Sequence, residues 1–297
     1  MSRYAHPPAA LWIARRLRDY ALLARFHRPI GTLLILWPAL WGLWLAGGGH
    51  PAPRLVAIFV AGAFAMRAAG CAINDFADRH FDGRVRRTRD RPLAQGRIRP
   101  AEALGVWLAF SLVALWLVSL TNPLTIALAA AVAAVVALYP FSKRFTHYPQ
   151  LVLGIAWASC IPLAFAAQTG EVPPSAWVPA AGVVAWTVAF DTFYAMADRE
   201  DDRLVGIRST ALRWGRRDLA AIALCQLLAL AAFAWTGALF GLGAAYWAGL
   251  AAVAALFAGQ LWKARSRGAE AAFAAFLANR WVGLVLFAAT AADGLLS

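Results

Sequence analysis

The chain has 297 residues, 62% hydrophobic and only 14% charged, with 14 tryptophans and a net charge of +13. A soluble globular domain is nearer half apolar and a quarter charged, so this composition excludes an ordinary soluble protein and points to an integral membrane protein. A net charge of that size suits nucleic acid only when it is gathered on one soluble face. Here the cations are parcelled between apolar runs, and no nucleic-acid partner is expected.

In chain order, residues 9–28 are short apolar groups broken by Arg15, Arg16, Arg18, Arg25 and Arg28. The pattern predicts an amphipathic helix at the membrane interface. With no apolar core ahead of a small-residue cleavage site, it is not read as a removable leader. Apolar spans follow at 30–47, 55–73, 102–120, 122–141, 151–168, 176–196, 219–237, 243–262 and 279–296. Each approaches the roughly 20 residues a bilayer core requires of a helix. The prediction is an all-α bundle of nine transmembrane helices in a single domain, 1–297.

Arginine and lysine divide sharply. Of 28, 26 fall in the N-terminal segment and the loops 74–100, 142–150, 197–218 and 263–280, while Arg54 lies on the other side and Arg67 within a span. The positive-inside rule puts the N-terminus and those loops in the cytoplasm, and nine crossings put the C-terminus outside. Cys71, Cys160 and Cys225 lie in apolar runs without a CxxC pair, which predicts buried thiols and no disulfide.

Eight of the 15 acidic residues lie in two clusters, Asn74 to Asp82 and Asp191 to Asp202. The DxxxD spacing of Asp78 and Asp82 recurs in Asp198 and Asp202 at an offset of 120 residues. Pro38 and Pro162 recur at nearly the same offset, which suggests two diverged four-helix halves, roughly 30–141 and 151–262, plus a ninth helix. If the helices continue through the clusters, Asn74, Asp78 and Asp82 form one column and Asp191, Tyr194, Asp198 and Asp202 another. Carboxylates so stacked repel unless a cation joins them, and hard oxygen donors suit Mg²⁺ with a phosphate-bearing substrate. Asp75, Glu200 and Asp201 are equally well explained as solvated loop charges. Arg84, Arg86, Arg87, Arg89 and Arg91 follow the first cluster, Arg199, Arg203 and Arg208 the second, and Lys143 and Arg144 end the fourth span. Most are accounted for by topology, yet cations among carboxylates are what a metal–diphosphate needs. No Walker stretch supports nucleotide hydrolysis.

An aromatic-rich membrane cavity beside a metal-bound diphosphate indicates prenyl transfer as a class. Diphosphate would leave, and a dry aromatic pocket would shield the allylic cation. The other class is a channel or transporter whose acidic columns form an ion path, which leaves the cation-rich loops unexplained.

The stretch from Met66 to Asp82, the runs Arg91-Pro92-Leu93 and Tyr139-Pro140-Phe141-Ser142-Lys143-Arg144, and the segment from Asp191 through Asp198 to Thr210 resemble the UbiA superfamily of intramembrane aromatic prenyltransferases. The resemblance covers nearly the whole chain. It implies a nine-helix bundle with Mg²⁺ between the acidic motifs, held by Asn74, Asp78, Asp82, Asp198 and Asp202. It implies that Arg67, Tyr139, Lys143, Arg144 and Asp191 act around the substrates, with Arg28, Tyr194 and Arg208 as further substrate contacts. The similarity is strongest to bacterial members of the ubiquinone pathway, which implies polyprenyl diphosphate and 4-hydroxybenzoate as substrates. It also implies a bacterial inner-membrane location, with membrane lipid and no obligate protein as neighbours. Homogentisate, a naphthoate or haem remains open as the acceptor.

Overall fold

The structure, a computed structural model, describes residues 9–80, 82–84 and 88–296. It runs α1 (Ala9–Leu23), α2 (Ile30–Ala46), α3 (Pro53–Asp78), α4 (Pro100–Ser119), α5 (Pro123–Phe145), α6 (Pro149–Ala158) and α7 (Cys160–Thr169). α8 (Trp177–Ala197), α9 (Arg199–Val205), α10 (Thr210–Trp214), α11 (Asp218–Leu239), α12 (Ala244–Ala264) and α13 (Ala269–Leu296) complete it, and no strand occurs among the described residues. Of the loop cations, Arg86 and Arg87 lie outside the described residues.

Prolines open four of the helices. Pro53, Pro100, Pro123 and Pro149 stand in the first turns of α3 to α6, where a missing N–H costs nothing. Asn122 caps α5, its Oδ1 accepting from the Thr125 N–H at 2.9 Å, and its amide donates to Ala166 of α7.

Pro162 interrupts the predicted span 151–168, which forms one crossing-length segment, 149–169, made of two helices. Lacking an N–H, it cannot donate to the carbonyl of Ala158, and the helix breaks at Ser159. The Ser159 hydroxyl turns back to donate to Ala156 O at 2.6 Å.

Eight helical segments are long and apolar enough to cross a bilayer: 53–78, 100–119, 123–145, 149–169, 174–197, 210–239, 244–264 and 269–296. The first predicted span, 30–47, is the 17-residue α2, which extends only about 25 Å at 1.5 Å per residue. The last helix starts ten residues ahead of the predicted 279, because the Ala-rich run from Ala269 favours helix.

α8 occupies the centre and packs on α6, α11 and α13. Of its apolar window 61% is buried, against 11% for α4 and for α5, so those two face lipid. Their outward side chains, Leu108, Leu112, Leu115, Trp116 and Leu138, are exposed apolar groups that only a bilayer would cover. Gly182 brings α11 close: a Cβ there would stand 2.5 Å from the Phe233 ring, which meets Trp41 edge-on at 5.2 Å. α1 leaves Leu11, Trp12, Ile13 and Leu17 exposed, as an interfacial helix requires. Ion pairs Arg16–Glu102 and Asp19–Arg97 fasten it to α4 and the loop before it.

Neither acidic column is continuous. α3 ends at Asp78, so Asn74 and Asp78 share a helical face but Asp82 sits in a separate 3₁₀ turn, Asp82–Arg84. α8 ends at Ala197, leaving Asp198 at the junction and Asp202 in the short α9. Carboxylates at i, i+4 repel, and at a helix C-terminus they also meet the negative end of the macrodipole. The expected single face therefore gives way at the point where its charges accumulate.

Candidate active site

A chamber of about 750 Å³ lies between α3, α4 and α5 on one side and α8 and α13 on the other. Its polar end gathers Arg67 and Asn74 from α3, Tyr139 from α5, Asp191 and Tyr194 from α8, and Arg28 from the turn before α2. Away from it the wall is apolar: Phe59 and Met66 of α3, Trp107 and Leu117 of α4, Ala133 and Val136 of α5. Phe190, Phe273 and Phe276 close the side opposite α4, with the Tyr194 and Phe276 ring centres 4.9 Å apart. Six residues from four elements thus meet in space, although the sequence scatters them over more than 160 positions.

Arg67 is the cation at membrane depth. Its Nε is buried and makes no hydrogen bond. Its guanidinium lies over Gly31 in the first turn of α2, where a Cβ would come within 2.3 Å of Cζ. Glycine leaves the room that the guanidinium fills.

Beside the chamber is a cleft of about 130 Å³ lined by Asp78, Lys143, Arg144 and the turn Val205–Ile207. Lys143 is ion-paired with Asp78. Arg144 donates to the Ala77 carbonyl at 2.8 Å and stands over the Phe141 ring. Arg208 joins the loop after α9 to the end of α5: its backbone N–H donates to Lys143 O at 3.1 Å and its guanidinium to Phe145 O at 2.8 Å. Arg208, Asp82, Asp198 and Asp202 line neither space.

Asp75 is not a solvated loop charge. It is 1% exposed, accepting from Arg25 at 2.8 and 2.9 Å and from Arg91 at 2.9 Å. The same Arg91 nitrogen donates to Asp82 Oδ2 at 2.8 Å. Burial pushes the Asp82 carboxyl up to about 6, against the pull of Arg91 and with the help of the Asp75 and Asp78 charges. Sequence reasoning took Arg25 for a topological charge and left Arg91 out of the site. The signal available was that Arg91 alone among the loop cations precedes a proline–leucine pair, Pro92-Leu93, of which Leu93 is buried. Glu200, by contrast, is exposed, as a solvated charge should be.

The donor set suits a hard divalent cation. Asp78 Oδ1 is a buried acceptor without a hydrogen-bond partner, next to the amide of Asn74 one turn back. No three His, Cys, Asp or Glu side chains among the described residues converge into a closed cage. That is compatible with Mg²⁺, which keeps waters and is bound through one or two carboxylates plus substrate phosphates.

A helical bundle with apolar spans and a chamber that sets cations and oxygen donors at one end of an apolar pocket defines a polytopic membrane protein. Residues 35–283 match the UbiA prenyltransferase family. The chain belongs to that family. It is 51% identical over 287 residues to a protein of Chromohalobacter salexigens named 4-hydroxybenzoate octaprenyltransferase, covering 97% of this chain and 95% of the relative. It is 52% identical over 276 residues to the protein of that name from Cupriavidus necator, covering 93% and 97%. Among solved structures, a UbiA homologue from Aeropyrum pernix superposes with a TM-score of 0.79 at 27% identity, over 88% of this chain and 97% of that one. A UbiA homologue from Archaeoglobus fulgidus bound to GPP and Mg²⁺ shares the fold with a TM-score of 0.72 at 17% identity, over 94% and 98%.

Proposed function

We propose that this chain is a Mg²⁺-dependent 4-hydroxybenzoate polyprenyltransferase of ubiquinone biosynthesis. It moves the polyprenyl group of a polyprenyl diphosphate to the ring carbon ortho to the acceptor's hydroxyl and releases diphosphate. The observation that carries the choice of acceptor is Arg67. A half-buried arginine whose buried Nε makes no hydrogen bond, lining an otherwise apolar chamber, suits one carboxylate. The full-length relatives that bear the 4-hydroxybenzoate name support the same choice.

The residues then take these parts. Asn74, Asp78, Asp82, Asp198 and Asp202 would hold the metal, which when bound supplies positive charge to the departing diphosphate. Lys143 and Arg144 line the cleft and serve the diphosphate oxygens, with Arg208, held against the end of α5 nearby, as a further contact; a metal on Asp78 frees Lys143 for them. Arg28 receives the anion at the chamber mouth. Tyr139 and Tyr194, with the phenylalanines of α13, face the allylic fragment, where aromatic faces favour a cation and exclude water. Asp191 lies beside them at the depth of the acceptor ring and orients its hydroxyl. The ring attacks the allylic carbon, and its proton leaves last.

We place the chain as one nine-crossing domain of the bacterial inner membrane, in two halves near 30–141 and 151–262 with α13 as the ninth helix. The chamber opens towards the cytoplasm, the N-terminus is cytoplasmic and the C-terminus outside. Incubating membranes that carry the protein with 4-hydroxybenzoate, octaprenyl diphosphate and Mg²⁺ should yield the octaprenylated acid by mass. Product from homogentisate or a naphthoate, and none from 4-hydroxybenzoate, would replace this acceptor.

A further inference from the structure

α3 stops short of Asp82 and α8 short of Asp198 and Asp202, so something other than the geometry of these two helices must hold Asp82, Asp198 and Asp202 in place. At the end of the bundle where these segments lie, two aspartates are almost wholly withdrawn from solvent, and each is bridged by two arginines. Asp75, 1% exposed, is bridged by Arg25 and Arg91. Asp218, at the start of α11 and 0% exposed, is bridged by Arg199 and Arg267, the latter at 3.1 Å.

In each case one arginine leads to the acidic segment. Arg91 donates onward to Asp82 at 2.8 Å. Arg199 follows Asp198 directly and opens α9, which carries Asp202. The other arginine comes from a distant helix end and is held in an unusual backbone conformation. Arg25 (φ 61) and Arg267 (φ 57) are the non-glycine residues with positive φ among the described residues, and one belongs to each bridge. Arg25 sits just after α1, with its own N–H donating to Leu22 O and the Phe26 N–H to Ala21 O, a helix end where glycine is usual. Arg267 follows α12 by three residues, and its guanidinium also donates to Arg216 O. An L side chain in this region is sterically unfavourable. Retaining arginine where glycine would relax the backbone indicates that the side chain is needed.

We infer that Asp75 and Asp218, each with its arginine pair, are matched clamps that position the two metal-binding segments. The inference rests on the proposed metal role of Asp78 and its companions. The four clamp arginines and two aspartates are positioning residues: they fix ligands through the residues that they hold. Hydrogen-bonded outer partners of this kind change metal affinity by about 10- to 100-fold when removed.

The test uses the full-length protein in lipid nanodiscs, with Mn²⁺ as the probe in the presence of inorganic diphosphate and free Mn²⁺ read by electron paramagnetic resonance. Arg25→Gly and Arg267→Gly remove one arm of each clamp while suiting the backbone; relief of the positive φ offsets part of the lost ion pair, the second arginine stays on each aspartate, and a thermal melt establishes that each variant is folded before binding is read. Each should weaken Mn²⁺ binding about tenfold, with the KM for 4-hydroxybenzoate unchanged. Lysine at either position, retaining charge and reach, should recover part of the affinity. A glycine variant of either arginine that binds Mn²⁺ like the parent overturns the inference. Asp78→Ala serves as the control: if it binds Mn²⁺ like the parent, the metal assignment itself fails, and its failure is thereby told apart from that of the clamps.

Discussion

The guanidinium of Arg67 rests on the α-carbon face of Gly31, so closely that a methyl group there would overlap it at 2.3 to 2.4 Å. α2 and α3 meet the chamber at this contact, and no other residue than glycine leaves the guanidinium where it is. Gly31→Ala should displace the flexible end of Arg67 and not the backbone. The expected outcome is a higher KM for 4-hydroxybenzoate with a nearly unchanged melting temperature. Steady-state kinetics and a thermal melt of the purified variant check both.

Arg67→Lys retains the charge and loses the planar fork. A charge-assisted hydrogen bond is worth about 1.5–3 kcal/mol, so the KM for the acceptor should rise by one to two powers of ten. The KM for the prenyl diphosphate should move less. Arg144→Lys, at the cleft end, should reverse that preference.

Asp78→Ala and Asp202→Ala should each abolish prenyl transfer while leaving the protein inserted in the membrane. Chelation should silence the parent and Mg²⁺ should restore it. Turnover at the parent rate by a variant lacking both carboxylates would remove the metal assignment.

Trp186 and Asn279 lie in the buried centre, where the indole N–H donates to Asn279 Oδ1 at 2.8 Å and the amide donates to Ala275 O at 2.9 Å. Asn279→Leu leaves a buried indole N–H unsatisfied and should cost about 1–3 kcal/mol. A lowered melting temperature with the KM values intact would be the signature.

The division of cations also makes a topological prediction. A reporter active only outside the cytoplasm should be active when fused after Ser297 and silent when inserted in the 84–99 loop. The opposite pattern would reverse the orientation.

The amino-acid sequence alone determined the class of this protein and most of its elements. Burying about 20 apolar residues in lipid is so favourable that composition and run length place spans without knowledge of their neighbours. Four residues at the chamber's polar end, Arg67, Asn74, Asp191 and Tyr194, were legible for the same reason, since polar groups at membrane depth stand out against the apolar background; Tyr139 was reached only through the resemblance to the family. Periodicity failed where tertiary contacts outweigh it. It extended α3 through Asp82 and α8 through Asp202, whereas like charges at a helix end break both. It placed the span 151–168, which the structure keeps as one crossing-length segment, 149–169, broken at Ser159 ahead of Pro162. Only the tertiary structure decided that Asp75 and Asp218 are buried, because their arginine partners come from α1, the loop after α3, α9 and the end of α12. A carboxylate withdraws from water only when cations compensate it, and partners brought from so far along the chain leave no local pattern in the sequence.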